Sequence, residues 1–138
     1  MKQVFVDTSA FAALADKNDG NHSRAVAFNK TISGIRLVTT NYVLDELYTL
    51  LLLHADYSKT LQFKHRLDFL ITRKALTVIW ITPEIATQTW QIFEQFNTDK
   101  QWSFTDCTSY VVMKDQGITE AFTFDHHFSQ MGFIRCPD

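Results

Sequence analysis

The sequence predicts an α/β fold, with a central, mostly parallel sheet and helices on both faces. Short runs of β-branched and aromatic residues, such as 3–6 and 77–81, alternate with longer stretches of helical spacing. Strands separated by helices require crossover connections, and these make neighbouring strands parallel. Only four Gly and two Pro in 138 residues argue against a turn-dense all-β architecture. That length fits one domain covering residues 1–138, with no linker, repeat or low-complexity tract inside it.

Each element has a local cause. Gln-Val-Phe-Val at 3–6 reads as a buried strand, and Asp7-Thr8-Ser9 can cap a short helix over 10–15. A polar loop at 16–20 leads to a helix over 22–32 that stops at Gly34, and a second strand covers 36–39. Thr40 and Asn41 offer an N-cap to a helix over 42–54, with Val43, Leu47, Leu50 and Leu51 at helical spacing. Ser58 can cap the next helix, which runs to about residue 74. Residues 77–81 (Thr-Val-Ile-Trp-Ile) are the third strand, and Pro83 suits the first turn of a helix ending at Phe96. After a loop at Asp99, a helix over 104–116 closes at Gly117, a left-handed cap. Residues 119–124 form the fourth strand and 133–135 a short final one. Trp80, Trp90, Cys107 and Met113 read as core.

Composition narrows the function classes. Hydrophobic residues at 46% and charged residues at 20% describe a folded chain rather than a disordered one. A formal charge of −2 provides no global basic field for nucleic acid, although carboxylates that hold a metal ion would not repel phosphate. Cys107 and Cys136 make neither a disulfide framework nor a zinc spacing and read as free thiols in a reducing compartment. Asp7 arrives too early for a signal-peptide apolar region, and no stretch is long enough to span a membrane. The expected location is cytoplasmic.

In parallel α/β sheets the chemistry gathers beyond the carboxyl ends of the strands. Asp7 and Asp125 follow the first and fourth strands directly. Glu46 lies about a turn into the helix after the second strand, and Asp106 near the start of the helix leading to the fourth. Taken singly, each aspartate also fits an N-cap, a first-turn dipole partner or a turn. Glu46 falls close to the apolar stripe of its helix, where an unpaired carboxylate is costly, whereas Asp45 projects about 100° away into solvent. Four acids at four such positions predict one cluster at one rim. Clustered carboxylates raise each other's pKa, and the usual remedy is a hard divalent cation, Mg²⁺ or Mn²⁺. No His or Cys set offers a competing ligand pattern.

These residues occur in a familiar order. Val-Asp-Thr-Ser at 6–9, Thr-Asn-Tyr-Val-Leu-Asp-Glu at 40–46 and Ser-Phe-Thr-Asp-Cys-Thr-Ser at 103–109 are followed by Thr-Phe-Asp-His-His-Phe at 123–128 and Gly-Phe at 132–133. Over residues 4–134 the chain resembles the PIN-domain ribonucleases, particularly the VapC-type toxins of toxin–antitoxin pairs. The resemblance implies strand order 3-2-1-4-5 and a metal-dependent site of Asp7, Glu46, Asp106 and Asp125. Asp7, Asp106 and Asp125 would lie nearest the Mg²⁺ or Mn²⁺, with Glu46 direct or through a water. Thr8, Ser9 and Ser103 would position waters or a phosphate oxygen, and Asp99 is an outer candidate. The implied activity is endoribonucleolytic hydrolysis of RNA. The implied partners are RNA and a cognate antitoxin whose basic side chain reaches the acids; a second copy in a homodimer is also expected.

Two alternatives stay open from the residues alone: an RNA-processing nuclease without an antitoxin, and a catalytically silent acidic binding module. Lys59, Arg66 and Arg73, seven residues apart, line one helical face and read either as phosphate contacts or as a solvated surface. Trp102 reads as packing rather than a base-stacking platform, and His126 and His127 as surface or strand-end residues. Apolar excess at 50–53, 61, 63, 67, 69 and 70 suits an antitoxin groove or a homodimer contact.

Overall fold

The apolar runs pair into one five-stranded parallel sheet in the order β3-β2-β1-β4-β5 in a computed structural model describing residues 2–138. The strands are β1 (Gln3–Val6), β2 (Arg36–Thr40), β3 (Leu76–Ile79), β4 (Glu120–Phe122) and β5 (Ile134–Cys136). Between them lie α1 (Thr8–Ala15), α2 (His22–Thr31), α3 (Asn41–His54), α4 (Tyr57–Thr72), α5 (Pro83–Phe96), α6 (Phe104–Gln116) and α7 (His127–Gln130). Among the described residues no helix is long and apolar enough to cross a membrane.

Right-handed crossovers put α1–α4 on one face of this sheet and α5–α7 on the other. Val6 and Phe122 are register partners and share a face, and Phe122 meets Phe28 of α2 at 4.8 Å between ring centroids. Phe5 and Ala121, one residue earlier, point the other way, where Phe5 meets Phe128 of α7 at 6.4 Å. Both faces are therefore buried, which is why the strands carry continuous apolar runs rather than an alternation. The connections leave every strand's carboxyl end at one rim, and Asp7 N–H donating to Phe122 O at 3.1 Å ties the ends of β1 and β4 together.

Several boundaries differ from the sequence reading, each for a local reason. Helix α4 starts at Tyr57 because Asp56, rather than Ser58, is the cap: its carboxylate accepts the Lys59 N–H at 2.7 Å. Strand β3 stops at Ile79 because its only neighbour, β2, ends at Thr40, and Asn41 Oδ1 takes the Ile81 N–H at 2.7 Å. Trp80 therefore leaves the sheet and is 69% exposed, and Trp90 is 52% exposed on α5, so neither belongs to the core. Strand β4 ends at Phe122 because side-chain hydroxyls capture the N–H groups of Phe124 and Asp125. Helix α7 was not foreseen; at four residues it is too short for a periodic signal. Gly117 does close α6 in the left-handed conformation, at φ +68°.

Candidate metal centre

Asp7 follows β1 and caps α1, so the strand fixes one side of it and the helix the other. It is only 4% exposed, and its hydrogen bonds all fall on one oxygen. Oδ2 accepts from the Thr123 hydroxyl at 2.9 Å, the Ser9 hydroxyl at 3.0 Å and the Ser9 N–H at 3.4 Å. The two hydroxyls are held in turn by backbone: Phe124 N–H donates to Ser9 Oγ at 2.9 Å and Asp125 N–H to Thr123 Oγ1 at 3.0 Å. Oδ2 is thereby pinned, while among the described residues none of these hydrogen bonds falls on Oδ1.

Asp106 sits at the third position of α6 in a reciprocal capping box. Ser103 Oγ accepts the Asp106 N–H at 3.0 Å, and Asp106 Oδ2 accepts the Ser103 N–H at 3.3 Å. Again a single oxygen is occupied, because His127 Nδ1 also lies 2.9 Å from Oδ2. Asp125 Oδ1 accepts the His127 N–H at 2.9 Å and lies 3.3 Å from His127 Nδ1. His127 thus joins two of the acids and is half-buried between them, not a surface residue. His126 is the exposed one of the pair, 3.7 Å from Asp125.

The electrostatics express this convergence. Burial, and then the Asp106 charge, push Asp7 from the ordinary 3.8 up to about 7, against the Thr123 and Ser9 hydrogen bonds. Burial also pushes Asp106 up, opposed by its bond to His127, with the Asp125 charge adding to the rise. Asp7, Asp106 and Asp125 therefore share one local field. Buried like charges with a free oxygen on Asp7 and another on Asp106 suit a hard divalent cation. Thr8 Oγ1, beside Asp7, is buried with no hydrogen-bond partner among the described residues, an orphan polar atom that a hydrated cation would satisfy. The residues present fit such an ion. The nitrogens of His126 and His127 also lie within 4.8 Å of the Asp125 carboxylate, so the donor set next to Asp125 extends beyond oxygen in a way the spacing did not suggest.

Other candidates are placed differently. Glu46 is exposed on α3 and makes no hydrogen bond or ion pair among the described residues. The buried stripe is Val43, Leu47 and Leu51, and Glu46 lies about 100° round from Leu47, so the expected burial of its carboxylate does not hold. Asp45 is exposed beside Trp80 and Thr105, and Asp99 is a solvated loop residue paired with Lys100 at 3.2 Å. Trp102 is packing, as expected: its indole N–H donates to Gln130 Oε1 at 2.8 Å, and Phe96 stacks on it at 5.0 Å. Of the basic trio, Lys59 and Arg66 share a groove, whereas Arg73 lies past the end of α4 over the Phe69 ring at 4.2 Å. Thr123 was overlooked as a site residue. Its trace in the sequence is a hydroxyl two residues before Asp125, on the same side of an extended segment, but its complete burial and its bond to Asp7 come from the fold.

Comparison with known proteins identifies the family. The PIN domain family model matches residues 4–134. The 23S rRNA-specific endonuclease VapC20 of Mycobacterium tuberculosis is 31% identical over 135 residues, 95% of each chain. Its crystal structure, described as that of a sarcin-ricin loop cleaving toxin, superposes with a TM-score of 0.84, covering 95% of this chain and 96% of that one. A VapC ribonuclease of Archaeoglobus fulgidus is 28% identical over 129 residues, 91% of this chain and 79% of its own. The FitAcB structure from Neisseria gonorrhoeae, at 16% identity and a TM-score of 0.72 over 96% of this chain and 95% of that one, shares the fold. The parallel sheet in the order 3-2-1-4-5 is thus accounted for: the chain belongs to the PIN-domain family and is a relative of the VapC endonucleases.

Proposed function

We propose that this chain is a divalent-metal-dependent endoribonuclease that acts as the toxin of a toxin–antitoxin pair. The observation that carries the reading is the pair of buried aspartates, Asp7 and Asp106, each with one oxygen pinned and the other free, coupled to Asp125. Asp7, Asp106 and Asp125 would hold Mg²⁺ or Mn²⁺, with the exposed Glu46 as an outer carboxylate. Such an ion, when bound, neutralises the phosphodiester and makes water a competent nucleophile at neutral pH.

The chain's own residues orient and exclude. Thr123 and Ser9 keep Asp7 from rotating, and Ser103 does the same for Asp106 through the capping box. The Thr8 hydroxyl, free of protein partners, is placed to hold a water or a phosphate oxygen. His127 orients Asp106 against Asp125. The partner follows from the same charge: an antitoxin Arg or Lys entering the rim satisfies the carboxylates that the metal would occupy, so the two compete.

The test is expression of the chain alone in its host. Growth arrest, rescued by co-expressing a neighbouring antitoxin gene and absent for Asp106→Asn, is the expected outcome. A host indifferent to both the unaltered chain and the variant would contradict the toxin reading.

A further inference from the structure

A second charged surface lies between α1, α2 and α4. Lys17 follows α1, Lys30 sits in the last turn of α2, and Lys59 and Arg66 project from α4; the fold gathers all four, with His22, around one groove of about 570 Å³. Among the described residues no carboxylate lines it. The acids nearest in sequence are bent onto backbone instead: Asp16 accepts the Asn18 N–H at 2.9 Å, Asp19 the Asn21 N–H at 2.8 Å and Asp56 the Lys59 N–H at 2.7 Å. Among the described residues none of the four cations is ion-paired. Leu14 and Val26 supply apolar wall between them, which strengthens the field inside the groove.

The charges form a track rather than a single nest. Lys59 and Arg66 are separated by about 10 Å along the helix, and Lys17 and Lys30 come from other elements. A lone phosphate would leave most of them unsatisfied, whereas a run of phosphates would not. We propose that this groove binds the phosphodiester backbone of the RNA substrate at a distance from the scissile bond. This rests on the endoribonuclease reading, which supplies a polyanion. It also revises the basic face expected on α4: Lys17 and Lys30 replace Arg73.

Binding of a fluorescein-labelled oligouridylate, followed by anisotropy across a salt series in EDTA, tests the proposal in an Asp106→Asn background that cannot cleave. The Lys17→Gln, Lys30→Gln double variant is expected to bind more weakly and to flatten the log–log salt slope by about 1.4, roughly 0.7 for each single-strand phosphate that is no longer neutralised. An Arg73→Gln, Lys74→Gln double variant removes the same charge outside the groove and is expected to keep the slope. Equal effects from both pairs would reduce the groove to net charge and overturn the proposal, as would an unchanged slope. RNA binding left intact with the antitoxin complex weakened would assign the groove to a protein partner instead. Metal-dependent cleavage by the unaltered chain is scored separately, so failure here leaves the nuclease reading standing.

Discussion

At the scale of single residues, Asp7 is held in tension. Its pKa is higher folded, at about 7, than unfolded, at 3.8, so between those values the folded chain binds a proton that the unfolded chain has released. Stability from this group is therefore greatest at low pH and falls as pH rises through that window. Asp7→Asn keeps the cap and removes the charge, so without metal it is expected to raise Tm at pH 8 by several degrees, with little effect at pH 4, as read by circular dichroism. Adding Mn²⁺ at pH 8 should raise the Tm of the unaltered chain but not that of Asp7→Asn, because ligand that binds only the folded state stabilises it. A variant that melts like the unaltered chain at every pH would place Asp7 in a more solvated setting. Thr123→Val tests the support beneath it. The change removes the donor to Asp7 Oδ2 and the acceptor of the Asp125 N–H, and is expected to weaken Mn²⁺ affinity by about 10–100-fold in calorimetry. Thr123→Ser should restore it.

At the scale of elements, helix starts set the chemistry. Ser103→Ala breaks the capping box that opens α6 and also frees Asp106, so a loss of about 1 kcal/mol in urea unfolding should come with weaker metal binding. The two tryptophans separate surface from core: Trp80→Gln is expected to leave stability nearly unchanged, whereas Trp102→Ala should cost about 3–5 kcal/mol. These elements also show how much could be read without coordinates. Helices with caps and stripes, such as α5 and α6, were legible because periodicity and capping are local properties, and so was the convergence of Asp7, Asp106 and Asp125, since strand ends locate a rim. Trp80 was misread because β-propensity at 77–81 does not reveal that β3 is an edge strand whose neighbour has already ended. Burial at Glu46 was misread because a stripe built on every fourth residue is narrower than the apolar composition of α3 suggests. His127 and Thr123 were hidden because their roles depend on contacts with residues 21 and 116 positions away.

At the scale of the whole molecule, a chain of net charge −2 keeps its charges apart. The carboxylates collect at the carboxyl rim, where a cation can neutralise them, and four cations without an ion pair among the described residues collect between α1, α2 and α4. The parallel sheet makes the rim possible, because every strand delivers its following residue to the same edge. The most direct measurement of the central claim is mapping of cleavage sites on total host RNA incubated with the purified chain. Discrete cuts that need Mg²⁺ or Mn²⁺, vanish with chelator and are lost in Asp106→Asn are the expected result. Cleavage that persists in chelator or in Asp106→Asn, or an absence of cleavage with either metal, would contradict a metal-dependent nuclease centred on these aspartates.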